Sequence, residues 1–193
     1  SRIAIEERLV READGIVAEC PQDLHDLVTL YKADPERIRI IPCGFDPDEF
    51  ETIPVRDARM HLGFTPAERI VLHLGRMVPR KGVDNVIRAC ALLRTTYGIP
   101  VRLVIAGGES PKPDAMLTPE IGRLQDIAAR EGLGGSVSFA GKIERRDLKW
   151  YYSAADIFVT TPWYEPFGIT PVEAMACGTP VIGSKVGGIR FSV

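Results

Sequence analysis

Two acidic and two basic residues carry the chemistry that can be read from this chain. Glu165 and Glu173 stand with seven residues between them in the stretch Tyr164-Glu-Pro-Phe-Gly-Ile-Thr-Pro-Val-Glu173. An ionised carboxylate offers two acceptor oxygens and no donor, so it suits hydroxyl groups such as those of a sugar ring or a ribose. A pair at this spacing could hold two parts of one extended ligand. Each has a plainer alternative. Thr170-Pro-Val-Glu173 has the form of a helix capping box with proline at the first helical position. Glu165 could be a solvated loop acid, although loops are where function concentrates. Arg76 and Lys81 lie in Gly75-Arg-Met-Val-Pro-Arg-Lys-Gly82. A pyrophosphate calls for two cations, free backbone N–H groups and a glycine that lets the backbone come close. The alternative is a solvated basic loop, since Arg80 and Lys81 are adjacent.

The elements around these residues place them at one edge. Apolar runs at 69–74, 101–106, 136–139, 156–160 and 180–183 read as five strands. Helical patterns at 83–97, 119–131, 145–153 and 171–176 separate them. Strands alternating with helices imply a parallel, doubly wound α/β sheet with right-handed crossovers. Ligands in such sheets bind beyond the strand C-termini. Arg76, Lys81, Gly107, Ile143, Glu165 and Glu173 all follow strand ends, so they converge on that edge. Upstream, the pattern reads helix 3–13, strand 15–18, helix 21–31 and strand 37–41. Pro42-Cys-Gly-Phe-Asp-Pro47 is turn-rich and reads as a linker, placing a boundary near residue 45 between segments 1–45 and 46–193. Residues 109–118 read as a long exposed loop. No Gly-x-Gly-x-x-Gly follows any strand.

The wording of two motifs resembles a known family. Glu165-Pro-Phe-Gly-Ile-Thr-Pro-Val-Glu-Ala-Met-Ala-Cys-Gly-Thr-Pro-Val-Ile-Gly-Ser184 is similar to the E-x7-E signature of retaining GT-B glycosyltransferases. It is most similar to glycosyltransferase family 4, also called group 1, and within it to the sucrose-phosphate-synthase-like branch. Gly75 to Gly82 resembles that family's G-R-x4-K-G signature. The resemblance implies a Rossmann-like donor-binding domain over 46–193, truncated at its C-terminal end, with 1–45 closing an N-terminal acceptor domain. It implies that Arg76 and Lys81, beside Gly75, hold the donor's diphosphate. Glu173 would take the ribose and Glu165 a hydroxyl of the sugar. The backbone of Phe167, Gly168 and Ile169 would contact sugar or phosphate, and Lys142 and Ile143 would lie against the base, near Gly107. The implied reaction moves a hexose from a nucleotide sugar, with UDP-glucose favoured, to a sugar or glycolipid acceptor. Configuration would be retained, with no metal and no other cofactor. The acceptor pocket would lie in the missing N-terminal domain, leaving this segment inactive alone. A GT-B epimerase and a non-catalytic nucleotide-sugar-binding module are the alternatives.

Bulk properties fit this and exclude other classes. The chain has 193 residues, 45% of them hydrophobic and 26% charged, as in ordinary globular proteins. A net charge of −2 gives no footprint for nucleic acid. Cys20, Cys43, Cys90 and Cys177 lie far apart, which reads as reduced thiols in a cytoplasmic protein rather than a zinc site. Cys177 sits in the signature stretch with no feature of a nucleophile beside it. No apolar run reaches the roughly 18 residues of a membrane helix, so nothing in this segment indicates membrane association.

Overall fold

The computed structural model describes residues 2–193. It contains two parallel sheets. The smaller pairs β1 (Ile16–Ala18) with β2 (Ile38–Ile40), and it is flanked by α1 (Arg2–Glu12) and α2 (Pro21–Tyr31). Its core gathers Val10, Ala18, Ala33 and Ile38 with the apolar side of α2. The helix α3 (Val55–Leu62) then leads into the larger sheet.

That sheet has five strands: β3 (Ile70–Leu74), β4 (Arg102–Ala106), β5 (Val137–Gly141), β6 (Ile157–Thr160) and β7 (Val181–Gly183). Their spatial order is β5-β4-β3-β6-β7, all parallel. This is the 3-2-1-4-5 order of a doubly wound sheet, with its switch point between β3 and β6. The connecting helices are α4 (Val83–Tyr97), α5 (Pro119–Arg130), α6 (Leu148–Ala154) and α7 (Ile169–Ala176), and α8 (Ile189–Ser192) closes the chain. Expected and observed strands agree within two residues. α8 has no counterpart among the elements read from the sequence.

Alternation along the strands gives each face a core. Val71, Leu103 and Ile105 pack under α4 and α5 with Val86, Ile87 and Leu124. Ile70, Leu72, Val104 and Phe158 pack on the other face against Tyr152 of α6, Ala174 of α7 and Phe50. Tyr152 is fully buried and meets the rings of Phe50 and Phe158 edge-on. Arg59 of α3 is buried at the strands' N-terminal end. It donates to Ala154 O at 3.0 Å, Pro66 O at 2.8 Å and the Asp156 carboxylate at 2.8 Å. Trp150 packs by stacking on His61. The loop 109–118 is tied down: Glu109 N donates to Thr118 Oγ1 and Lys142 N to Ser110 O. Among the described residues, no helix is long and apolar enough to cross a membrane.

The sheet opens at the switch point. The β3–β4 register runs to Leu74↔Ala106 and the β6–β7 register to Thr160↔Gly183, but β3–β6 pairing stops at Leu72↔Phe158. Beyond it His73 bridges the two strands. Its Nδ1 lies 2.9 Å from Val159 O, a pure acceptor, so Nδ1 carries the proton. Nε2 is buried with no partner among the described residues. Burial above all, with a smaller contribution from nearby Lys81 and against the pull of the Val159 carbonyl, lowers the His73 pKa to about 4. The imidazole is therefore neutral in the folded chain, while the unfolded chain takes up a proton near pH 6.5. Stability should fall as pH drops from about 6.5 towards 4, by about 3 kcal/mol from this residue. Denaturant unfolding of the wild type and His73→Phe across that range should give profiles that diverge by this amount. Parallel profiles would show that His73 does not carry the effect.

Candidate functional site

Three loops meet at the opening between β3 and β6. The first, residues 75–82, ends in a short 3-10 turn (Pro79–Lys81) and Gly82. The second, 161–168, follows β6. The third joins β7 to α8. Gly82 has φ +63, and a Cβ there would stand 2.1 Å from Thr161 O. Only glycine lets the first two loops touch in this way. Hydrogen bonds then close the contact. Thr161 Oγ1 donates to Gly82 O at 2.7 Å, Trp163 N to Arg80 O at 2.9 Å, and Arg80 Nη1 to Tyr164 O at 2.9 Å. Lys81 Nζ and the Glu165 carboxylate form a largely buried ion pair across the gap. From the other side Gly188 N donates to Glu165 O at 3.0 Å. A Cβ on Gly187 would stand 1.8 Å from that same oxygen.

The sequence-derived residues divide between two clefts. One, of about 200 Å³, is bounded by Gly75, Arg76, Gly107, Lys142 and Ile143, with Leu74, Ala106 and Leu148 as apolar walls. The other, of about 260 Å³, is bounded by Lys81, Glu165, Phe167, Gly168 and Ile169, and also by Glu19. It is charged and lies against the start of α7, where free N–H groups and the helix dipole favour negative charge. A single loop thus sends Arg76 to one cleft and Lys81 to the other.

Glu173 lies apart from both. α7 begins at Ile169, two residues before the expected start, and its N-cap is Gly168 at φ 89 with no side-chain cap bond. The expected capping box therefore does not form, because Thr170 and Glu173 are both already inside the helix. Glu173 instead turns inward, where it is 4% exposed. Its Oε2 accepts from the Tyr152 hydroxyl at 2.8 Å, and Oε1 lies 3.5 Å from Arg145 Nη1. Burial raises its pKa, opposed by the Tyr152 bond and the Arg145 charge. Arg145 reaches it from the loop after β5 and also donates to Glu49 at 2.6 Å. Cys177 is buried, and desolvation pushes its thiol up to about 11, as befits an inert core cysteine.

Two participants escaped the sequence reading. Arg80, taken as a solvated cation, is half-buried and spans the two loops. Glu19 follows β1 in the upstream segment, and its position just beyond a strand C-terminus was the available signal. That segment docks on the site through Cys20, whose Sγ donates to Pro166 O at 3.5 Å. Among the described residues, no cluster of three or more His, Cys, Asp or Glu side chains gathers at metal-binding distance.

Comparison with known proteins fits this geometry. Residues 56–193 match the family model described as Glycosyl transferases group 1. The D-inositol 3-phosphate glycosyltransferase of Mycolicibacterium gilvum is 39% identical over 188 residues, covering 97% of this chain and 40% of its own. D-inositol 3-phosphate glycosyltransferase 2 of Catenulispora acidiphila is 34% identical over 194 residues, covering 100% of this chain and 45% of its own. The chain thus spans less than half the length of these curated relatives. Among solved structures, sucrose-phosphate synthase from Thermosynechococcus elongatus superposes with a TM-score of 0.86 at 37% identity, over 100% of this chain and 46% of that one. Anabaena Alr3699/HepE in complex with UDP-glucose superposes at 0.84 with 27% identity, over 99% and 50%. The sheet order, the three loops at its switch point and these matches together show that the chain belongs to the group 1 glycosyl transferases and has the α/β fold of their GT-B C-terminal domains.

Proposed function

We propose that residues 46–193 are the donor-binding part of a retaining, nucleotide-sugar-dependent hexosyltransferase, with UDP-glucose as donor. Residues 1–45 end the neighbouring acceptor domain. The observation that carries this reading is the Lys81–Glu165 ion pair at the switch point. It sets a cation for phosphate beside a carboxylate for sugar hydroxyls, next to the start of α7. The complexes of Alr3699/HepE with UDP and with UDP-glucose support the choice of donor. The acceptor, a sugar or glycolipid, is bound by the further length that the relatives carry.

Each residue has a part in the reaction. The base lies in the cleft of Gly107, Lys142 and Ile143. Arg76 and Lys81 neutralise the departing diphosphate, so its negative charge is met by preorganised groups as the glycosidic C–O bond breaks. These cations supply the countercharge without a metal. Glu165 accepts from a sugar hydroxyl and orients the ring. The acceptor hydroxyl attacks from the face the diphosphate leaves, and the leaving oxygen takes its proton. Configuration is thereby retained without a covalent glycosyl-enzyme. Glu173 receives the ribose hydroxyls once Arg145, half in solvent, yields its place.

Two sets of variants test these roles. Glu173→Gln should weaken UDP binding by roughly 1–3 kcal/mol in calorimetry, the range for losing a charge-assisted hydrogen bond. Glu165→Gln should leave UDP affinity unchanged or tighter, because Lys81 loses its partner, while turnover of UDP-glucose falls. Equal weakening of UDP in both variants would refute the division of ribose and sugar between them. In kinetics of the intact enzyme, Lys81→Ala should cost about 2–4 kcal/mol of transition-state stabilisation. Arg80→Ala should cost only about 1 kcal/mol, the worth of its bond to the Tyr164 carbonyl. An Arg80 effect as large as that of Lys81 would assign the phosphate to Arg80.

A further inference from the structure

The 260 Å³ cleft has a second wall that the reading above does not use, and it carries Glu19. Glu19 follows directly on β1 and is half-buried. Its backbone N donates to Asp23 Oδ2 at 2.9 Å, and its Oε1 accepts from the Cys43 thiol at 3.2 Å. A thiol is a weak donor and leaves most of the carboxylate's accepting capacity free. Among the described residues, no cation pairs with Glu19. Lys81, the cation of this cleft, is already matched by Glu165. The cleft therefore holds one positive and two negative side chains, and Glu19 supplies the unbalanced charge.

The wall is also fixed in place. Cys20, the next residue, caps α2 through its Sγ and donates to Pro166 O, the carbonyl directly after Glu165. The segment bearing Glu19 and the loop bearing Glu165 are thus held against each other. A carboxylate so placed favours hydroxyl donors. It opposes any ligand that brings a second carboxylate into the same partly dehydrated space, since like charges at short range repel strongly there.

We propose that Glu19 is a specificity-determining residue: from the wall facing Lys81 and Glu165, it accepts from the hydroxyls of a neutral glycosyl group and rejects a glycosyl group bearing a carboxylate. This rests on the donor-site reading above. It goes beyond that reading by assigning sugar selection to a residue outside the donor domain. The discrimination comes from what the site repels as well as from what it binds.

The test compares three ligands by calorimetry: UDP, UDP-glucose and UDP-glucuronic acid. The two sugars differ only by oxidation of the terminal CH₂OH to a carboxylate. The wild type should prefer the neutral donor. Glu19→Gln keeps shape and acceptor capacity but removes the charge, so it should narrow that preference by roughly tenfold, the scale of one partly screened charge contact. UDP affinity should stay the same, which also shows the variant to be folded. Failure of UDP to bind the wild type would overturn the donor-site reading and this inference with it. Normal UDP binding with an unchanged sugar preference in Glu19→Gln would overturn this inference alone. Loss of UDP binding in Glu19→Gln would equally overturn it, by giving Glu19 a role in the fold or the diphosphate site.

Discussion

The arrangement at the switch point depends on two strands ceasing to pair. Parallel neighbours in this sheet stay paired to their C-terminal ends, β4 and β5 across a register shift at Ile105/Ala106, but β3 and β6 separate after Leu72↔Phe158. Parted strands leave backbone groups and a gap that must be filled. The chain fills it with His73 below, and above it with two loops that meet through Gly82 and the Lys81–Glu165 pair. Removing two charges from water costs several kcal/mol per ion before their attraction offsets it. Such a pair is a poor device for stability, since an apolar pair of like volume would serve the fold as well. On the donor-site reading proposed above, the pair serves instead to hold a cation ready for an anion and a carboxylate ready for hydroxyl groups.

Glycine is what makes the pair's geometry available. Gly82 brings one loop against Thr161, and Gly187 brings a third backbone against Glu165. A Cβ at these positions would stand 2.1 and 1.8 Å from the Thr161 and Glu165 carbonyl oxygens, so any side chain there would force the walls apart. Backbone contact thus helps to bury the ion pair. The upstream segment adds the remaining wall through Cys20 and Glu19. The charged cleft is therefore built from two segments of the chain that fold on separate sheets.

Much of this was legible in the sequence, for a physical reason. Strands buried on both faces are mostly apolar, so 70–74, His73 apart, and 103–106 stand out as runs, and the polar and glycine-rich residues between runs mark the loops. From that alone Arg76, Lys81, Gly107 and Glu165 fall at one edge. Local signals failed where long-range contacts decide. The capping-box pattern at Thr170 was overridden because Gly168 begins the helix earlier, and Tyr152 and Arg145 draw Glu173 inward. Arg80 looked solvated because its acceptor, Tyr164 O, is 84 residues away in sequence. Glu19 was invisible for the same reason, its cleft partners lying far downstream.

The apolar cleft is tied to the buried carboxylate Glu173 through one loop. The loop after β5 gives Lys142 and Ile143 to the apolar cleft, and a few residues on it gives Arg145 to Glu173. Arg145 is shared further with Glu49 and lies over the Phe50 ring, at the start of the segment leading into α3. A ligand that shifts this loop must therefore alter the countercharge of a buried carboxylate whose pKa is already raised by burial. Without Arg145, Glu173 would keep only the Tyr152 phenol, and its charged form would be harder to maintain. The ionisation of Glu173 and the position of the loop are thus coupled, and a hydroxyl-bearing ligand that replaced Arg145 at Glu173 would have to make up for the countercharge that the guanidinium gives up.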